Sequence, residues 1–335
     1  MPTQSRPEPA TLEEQVAELT LCSREKDALG PAHFIQTYCD IYDNRGKAWL
    51  PFALWPAQRE ALALIHKEQL VVALKARQLG MTWLCLAYVL WQMIFRPIAK
   101  PLVFSRTEED AMYLLSDERL RGMHRRLPGW ILDAMNARAV SDASKTWKLT
   151  NGSVAHAFPP NRGDSYTATF ALADEYDLLD DKAEGSEKGK SEQSRLLRSV
   201  KPTIDHGGKM VLLSRVDKAK PESEFKKTYR AAKAGTVPWK SVFLPWHVHP
   251  ARDAAWYEKE KASCLARTGS LDDLHEQYPA TEAEALAPRS LDKRIPPQWL
   301  LQCFEEMRPM SLASIHWDEP DADTPVVRER SQHGD

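Results

Sequence analysis

Apolar residues fall along the chain in blocks that predict strands and helices in turn. Residues 70–74, Leu-Val-Val-Ala-Leu, form a continuous apolar run, which is typical of a short strand buried on both faces. The pattern before it predicts a helix over residues 56–67, opened by a proline in its first turn. The pattern after it predicts a helix over residues 82–95 that ends before Pro97.

The alternation continues through most of the chain. Asn151-Gly152, between two short strand-like segments, predicts a hairpin. Strands and helices that alternate from residue 54 to residue 250 favour an α/β fold with a mostly parallel central sheet flanked by helices. We divide the chain into an N-terminal tail and helical entry segment (1–45), a main α/β domain (46–290) and a C-terminal linker and tail (291–335).

Composition limits the classes of protein to consider. The chain has 335 residues and a net charge of −2, from 45 basic and 47 acidic residues. This balance excludes a protein that coats nucleic acid with a surface that is basic overall, but it allows a local strip of basic residues. Its five cysteines (Cys22, Cys39, Cys85, Cys264 and Cys303) are scattered, with no Cys-x-x-Cys pair. The pattern argues against a zinc site and a secreted disulfide framework and favours a reducing cytoplasm.

No part of the sequence predicts contact with a membrane. No apolar run reaches the roughly 18 residues of a membrane span. The first residues, Met1 to Pro7, lack the apolar segment of a signal peptide. We therefore expect a soluble protein.

The octamer after the first buried strand, Lys75-Ala76-Arg77-Gln78-Leu79-Gly80-Met81-Thr82, resembles a phosphate loop with one residue out of place. In the usual motif, backbone N–H groups cradle phosphates, a lysine reaches their oxygens and a hydroxyl holds Mg²⁺. Gly80 and Thr82 are in place, but Met81 stands where the lysine belongs. Lys75 carries an ammonium long enough to swing over a bound triphosphate. On the octamer alone, a nucleotide site and a plain strand-to-helix turn are both open.

A second apolar run, residues 170–173, ends in Asp174 and Glu175. A buried parallel strand delivers such acids to the carboxyl edge of a sheet, where ligands bind. There Asp174 would hold a hydrated Mg²⁺, and Glu175 would orient and deprotonate an attacking water. The alternative interpretation of the two acids is a solvated turn.

With these motifs, the sequence resembles the ATPase domain of the large terminase subunit of tailed double-stranded-DNA bacteriophages. That family commonly has a phosphate loop of the form Lys-x-x-Arg/Gln-x-Gly-x-Ser/Thr, with the lysine at its start, and residues 75–82 match it. The similarity covers about residues 20 to 290. The other similar segments are 33–41, 54–59, 102–107, 151–153, 162–163, 207–214 and 276–285.

The resemblance implies an α/β P-loop NTPase fold of the additional-strand (ASCE) type and a set of site residues. Gln58 would read the adenine of ATP. Glu175 would be the catalytic base, and Thr82 and Asp174 would hold Mg²⁺. The ATP-binding loop would be Lys75, Ala76, Arg77, Gln78, Leu79, Gly80, Met81 and Thr82.

The resemblance also implies residues that respond to the γ-phosphate. Arg77 and Arg162 would stabilise the charge that develops on it, within the subunit or from a neighbouring one. Ser214 would end the strand that couples this phosphate to motion. The family often has Ser-Thr-Pro at that point, whereas this chain has Ser214-Arg215-Val216.

The function implied is an ATP-hydrolysing motor that translocates double-stranded DNA into a procapsid. Its expected partners are DNA, further copies of itself in a ring, a portal protein and a small terminase subunit, in the host cytoplasm. The segment after Pro288 is too short for the family's nuclease domain, so we expect no nuclease activity from this chain and allow for a separately encoded nuclease. Two alternatives stay open: a catalytically inactive DNA-binding or scaffold remnant, and a helicase-like DNA-dependent ATPase.

A basic stretch follows the acidic strand. Six lysines and arginines lie between residues 182 and 201, among glycines and serines. Such a loop would contact DNA phosphates, or it would be an ordinary surface loop. The sequence favours neither interpretation.

Overall fold

The computed structural model describes residues 9–43, 46–141, 143–160, 166–179 and 191–289, and the backbone of 315–317 and 327–329. The contacts divide the chain into two units, Met1–Pro288 and Arg289–Asp335.

The first unit begins with two helices and a hairpin. The first helix starts at a capping box in which the Thr11 hydroxyl accepts from Glu14 N–H and the Glu14 carboxylate accepts from the backbone of Thr11. The hairpin strands pair antiparallel. These elements are α1 (Leu12–Cys22), α2 (Leu29–Tyr38), β1 (Asp40–Asp43) and β2 (Ala48–Pro51).

An eight-stranded sheet forms the centre of the unit, with the strand order β10-β3-β9-β8-β4-β7-β6-β5. In this order, neighbouring strands from β10 to β7 pair parallel. Strand β6 pairs antiparallel with β7, and β5 pairs antiparallel with β6. The antiparallel pair β6–β7 is the hairpin predicted around Asn151-Gly152. The strands are β3 (Leu70–Lys75), β4 (Pro101–Phe104), β5 (Ala139–Ser141), β6 (Thr146–Leu149), β7 (Val154–Phe158), β8 (Phe170–Asp174), β9 (Lys209–Ser214) and β10 (Lys240–Leu244).

Helices cover both faces of the sheet. The helices are α3 (Pro56–Lys67), α4 (Met81–Phe95), α5 (Glu108–Leu115), α6 (Leu120–Arg125), α7 (Gly129–Ala134), α8 (Glu192–Val200), α9 (Glu224–Lys233), α10 (Ala254–Thr268), α11 (Asp272–Gln277) and α12 (Glu282–Leu286). Short 3₁₀ turns lie at Tyr176–Leu178, Lys201–Ile204 and Trp246–Val248.

The core has two parts, one on each face of the sheet. Side chains of β3 alternate between them, with Val71 and Ala73 in the part that contains α3 and α4 and Val72 in the part that contains α8 and α9. Helix α4 is apolar on all sides and almost wholly buried, because α2, α3 and α6 pack around it. It begins one residue before the predicted start, and α3 has the predicted bounds.

The strand order explains how the predicted motifs meet. Strand β9 lies between β3, which leads into the phosphate-type loop, and β8, which ends in the acids. This additional strand is the mark of the ASCE type of P-loop NTPase, so the predicted fold class is confirmed. Because β3 and β8 are parallel to β9, their carboxyl ends lie at the same edge of the sheet.

In the second unit, β11 (Ile315–Trp317) pairs antiparallel with β12 (Val327–Glu329). Within the described residues, no helix has the length and apolar character needed to cross a bilayer.

Candidate nucleotide site

The loop between β3 and α4 has a backbone that only particular residues allow. Gly80 caps α4 at φ +68°, in the left-handed region that glycine adopts most easily. A Cβ atom at this position would also lie 2.8 Å from Nε2 of Gln58. Gln78 has φ +61° without being glycine. The loop is therefore held in a strained form that ends at the N-terminus of α4, where unpaired N–H groups favour an anion.

Lys75 is the last residue of β3, and its side chain is buried under this loop. Its ammonium Nζ lies 3.1 Å from Oε1 of Glu175, and the two side chains are 6% and 26% exposed. Met81, at the usual lysine position, is instead packed into the core at the start of α4. The ammonium in the site thus comes from Lys75.

The two acids at the end of β8 lie opposite the loop: Asp174 is the last residue of the strand and Glu175 follows it. The Thr82 hydroxyl donates to both carboxylate oxygens of Asp174, at 3.1 and 3.2 Å. Asp174 is only 6% exposed, so the interpretation as a solvated turn is wrong for this residue. Glu175 has left-handed backbone angles, φ 51° and ψ 41°, a conformation that is uncommon for non-glycine residues and that is often found at active sites.

The pKa values of the two carboxyl groups are shifted in opposite directions. Burial, together with the neighbouring charge of Glu175, raises the pKa of Asp174 to about 6. Burial also acts to raise the pKa of Glu175, but the charge and hydrogen bond of Lys75 outweigh it, with smaller contributions from Arg215 and Arg106. The pKa of Glu175 therefore lies below its ordinary value.

The arrangement suits a hydrated magnesium ion. Thr82 and Asp174 supply a hydroxyl and a carboxylate within hydrogen-bond distance of each other, and hard oxygen donors are what Mg²⁺ takes from proteins. Oε2 of Glu175 is buried and has no hydrogen-bond partner among the described residues. A buried carboxylate oxygen without a donor is the kind of group that a bound water would satisfy.

Ser214 is at the end of β9, between the two halves of the site. Its hydroxyl oxygen accepts from the backbone N–H of Asp177 at 3.0 Å. The strand therefore contacts the turn that carries Glu175, which a coupling strand requires. Whether the hydroxyl also responds to a phosphate stays a prediction.

The side chain of Gln58 contacts the backbone of the loop. Its amide Nε2 donates to the carbonyl oxygen of Leu79 at 2.9 Å, and its Oε1 accepts from the N–H of Trp55 at 3.0 Å. These contacts fix the start of α3 to the loop. Adenine recognition by Gln58 stays a prediction.

Arg77 points toward the segment that closes the unit. Its Nη1 donates to Oε1 of Gln277 at 3.1 Å, and its backbone N–H donates to the carbonyl of Gln277 at 2.8 Å. The N–H of Ala76 donates to the carbonyl of Leu244 at 2.8 Å, so neither of these two N–H groups faces a ligand. Arg162 lies outside the described residues.

Sequence reasoning missed Arg252. Its guanidinium donates to the carbonyl of Arg77 at 2.9 Å and to Oε1 of Gln78 at 3.2 Å. It also stacks on Trp256 and Tyr278, 4.8 Å from each ring centroid. A lone arginine in a loop carries no spacing signal, so only the tertiary structure reveals this clamp on the phosphate-type loop.

Two solved structures that are similar to this chain are phage large terminases. The Thermus phage P74-26 large terminase ATPase domain is 15% identical, with a TM-score of 0.51 over 68% of this chain and 93% of that one. The HK97 bacteriophage large terminase is 12% identical, with a TM-score of 0.56 over 74% of this chain and 53% of that one. No protein-family model matches the sequence, and no curated protein matches it significantly. The resemblance to large terminase ATPase domains is therefore confirmed in the fold.

Proposed function

We propose, from the fold shared with large terminase ATPase domains, that this chain hydrolyses ATP and uses the energy to translocate double-stranded DNA into a procapsid. The observation that carries the proposal is the meeting of Lys75, Thr82, Asp174 and Glu175 at one edge of the sheet. These groups supply an ammonium, a hydroxyl and two carboxylates, which is the set that phosphoryl transfer from a nucleotide needs.

In the proposed reaction, Lys75 and the N–H groups at the start of α4 hold the phosphates of ATP. Thr82 and Asp174 would hold Mg²⁺, which when bound neutralises charge on the β- and γ-phosphate oxygens. Water attacks the γ-phosphorus and gives a proton to Glu175. A bond from phosphorus to the water oxygen forms, and the bond to the bridging oxygen breaks, so ADP leaves with the electron pair.

The Lys75–Glu175 contact has a role in this scheme. While Lys75 is paired with Glu175, the carboxylate has a lowered pKa and is a weak base. Phosphate oxygens would compete for the same ammonium. When Lys75 turns to the phosphates, Glu175 loses its counter-charge, its pKa rises and it becomes a better acceptor for the proton of water. ATP binding would thus activate its own catalytic base.

The partners follow from the same proposal. The chain would act as a homo-oligomeric ring in the host cytoplasm, with a portal protein and a small terminase subunit, and Arg77 or Arg162 would supply the charge-stabilising arginine. A role of the basic stretch in DNA contact is part of the proposal, although Lys182, Lys188 and Lys190 lie outside the described residues. Arg198, on α8, is described and exposed.

The test is Mg²⁺-dependent ATP turnover by the purified chain, with and without double-stranded DNA. We expect turnover that DNA stimulates and that Lys75→Ala lowers by roughly 10²–10³. Lys67→Ala, which removes a lysine whose side chain is 81% exposed, is the matched control and should leave turnover unchanged. A chain without any turnover under both conditions would instead be the catalytically inactive DNA-binding or scaffold protein.

A further inference from the structure

Arg215 stands at the point where this sequence departs from the pattern of the family that it resembles. It follows Ser214 directly, in place of the threonine that the family often has there. Its Nη1 lies 2.7 Å from Oε1 of Glu276, and the two side chains are only 18% and 11% exposed. The other carboxylate oxygen of Glu276 accepts from the backbone N–H of Lys218 at 3.2 Å. The ion pair is therefore largely shielded from solvent, and a further hydrogen bond holds Glu276 in position.

The position of Arg215 is fixed by the sheet. In the register, Ser214 pairs with Leu74, and Leu213 pairs with Asp174. Arg215 therefore emerges at the carboxyl edge on the strand that separates Lys75 from Glu175. Its positive charge acts on the carboxyl of Glu175. By the register, Arg215 thus lies at the same edge of the sheet as the site proposed for the phosphates.

Glu276 connects this arginine to the loop on the other side of the site. The next residue, Gln277, accepts from the backbone N–H and from the guanidinium of Arg77. Glu276 is also linked to α12 through Lys218, whose backbone N–H donates to Glu276. The ammonium of Lys218 caps α12 by donating to the carbonyls of Glu284 and Ala287, at 2.8 and 2.7 Å. A movement of Glu276 would reach both the phosphate-type loop and the last helix of the first unit.

We propose that Arg215 exchanges partners, from Glu276 without ATP to the γ-phosphate of ATP when it is bound. The inference rests on the proposed function, since it needs a nucleotide in the site. A guanidinium binds carboxylate and phosphate with the same planar pair of donors, so the two compete for it. Binding of the γ-phosphate releases Glu276, and the segment that contains Gln277 then loosens its contact with Arg77. ADP lacks the γ-phosphate and leaves the ion pair intact.

The proposal predicts opposite effects of the two partners on nucleotide preference. Arg215→Gln removes the charge but keeps a hydrogen-bond donor, and it should weaken binding of the β,γ-imido analogue of ATP by roughly 10-fold or more while ADP binding stays the same. Glu276→Gln removes the competing carboxylate, and it should strengthen binding of the analogue relative to ADP several-fold. Both affinities are measured by calorimetry with Mg²⁺ on the whole chain.

The control is Arg138→Gln, which breaks an exposed ion pair with Asp133 of similar length, 2.6 Å, and should change neither affinity. A purely structural ion pair would instead shift both nucleotides in the same direction in both variants, which would overturn the proposal. An unchanged preference in Arg215→Gln would do so as well. If Arg215→Gln does not fold, the direction of the shift in Glu276→Gln decides alone.

The result also separates this inference from the proposed function. If the unaltered chain binds neither nucleotide, both are wrong. If it binds the analogue and loses it in Lys75→Ala, but the preference ignores Arg215 and Glu276, only the partner exchange is wrong.

Discussion

Two lysine–carboxylate pairs lie near the end of β8, and they differ in exposure to solvent and in the number of their hydrogen-bond partners. Lys75 pairs with Glu175 at 3.1 Å, and Lys226 pairs with Asp177 at 3.5 Å. The two acids are only two positions apart in the chain. The first pair is partly open, whereas the side chains of the second are 1% and 0% exposed.

The second pair is surrounded by fixed partners. The Lys226 ammonium also donates to the carbonyls of Asp217 and Lys220, at 2.5 and 2.7 Å. The Asp177 carboxylate accepts from the N–H of Asp217 at 2.7 Å. Lys226 therefore joins the turn after β8 to the loop after β9. Within the described residues the Lys75 ammonium makes one hydrogen bond, to Glu175, whereas the Lys226 ammonium makes two besides its ion pair. The two acids are alike in one respect, because Oε2 of Glu175 and Oδ1 of Asp177 are both buried without a hydrogen-bond partner in the described part of the chain.

The pKa values show what the difference does. Burial raises the pKa of Asp177 and lowers that of Lys226, although each partner's charge opposes the shift. In Glu175 the lysine outweighs burial, and the pKa falls. In the pair of Lys75 and Glu175, the open pair, a ligand can compete for the ammonium. The closed pair holds two elements together, and its charges are not available for chemistry.

The largest effect should come from removing the acid of the open pair. Glu175→Gln keeps the shape but cannot accept a proton, so ATP turnover should fall by about 10²–10⁴ while ATP still binds. Asp177→Asn, two residues on, should lower the melting temperature but keep most of the turnover per folded molecule. Single-turnover kinetics and thermal unfolding of both variants measure this split. Near-normal turnover in Glu175→Gln would remove that residue from the mechanism.

Removing the lysine of the open pair should come next. Lys75→Ala should lower turnover by roughly 10²–10³ because no other ammonium in the loop reaches the phosphates. Met81→Leu conserves volume in the core and is the matched test of the usual lysine position, so it should leave turnover nearly unchanged. Equal and small effects in steady-state assays of both variants would contradict the role of Lys75.

The closed pair should instead determine stability. Lys226→Met leaves the buried carboxylate of Asp177 unpaired, which should lower the free energy of unfolding by about 3–5 kcal/mol in urea titrations. Combining it with Asp177→Asn should recover part of that loss. Lys75→Met should cost less, because Glu175 keeps contact with solvent. A loss in Lys75→Met as large as in Lys226→Met would break the comparison.

The smallest effect concerns pH. The raised pKa of Asp174, about 6, means that this carboxyl is increasingly protonated below that pH. Protons compete with Mg²⁺ for the carboxylate, so Mg²⁺-dependent nucleotide binding should weaken by up to about tenfold for each pH unit below the pKa and level off above it. Before nucleotide binds, Glu175 has a lowered pKa and stays ionised over this range. Binding measured from pH 5 to 8 in Asp174→Asn should lack the dependence; if the variant keeps it, another group titrates.

Much of the frame could be predicted because it depends on local patterns. The apolar runs predicted β3 and β8, Pro56 and Pro97 bounded two helices, and parallel strands bring their carboxyl ends together. That was enough to expect Lys75, Thr82 and the two acids at one edge. The ASCE strand order came from the resemblance, because periodicity alone does not say which strands are neighbours.

The contacts of individual side chains could not be predicted in the same way. The direction of Arg77 depends on Gln277, 200 residues later, and the pair of Asp177 and Lys226 depends on how α9 packs. Such contacts are set by rotamers and by the packing of distant elements. The roles of Gln58, Ser214, Arg77 and Arg162 therefore stay predictions that need a bound nucleotide to test.

The additional strand β9 also fixes the distance between the two strands that carry the site. With β9 between them, β3 and β8 are two interstrand spacings apart, roughly 9–10 Å. A lysine and a glutamate are together long enough to meet across that width, as Lys75 and Glu175 do. An aspartate at 175 would fall short by one methylene group. The sheet thus sets the length of side chain that can work at this edge, and the proposed nucleotide site should tolerate few substitutions at either end of the gap.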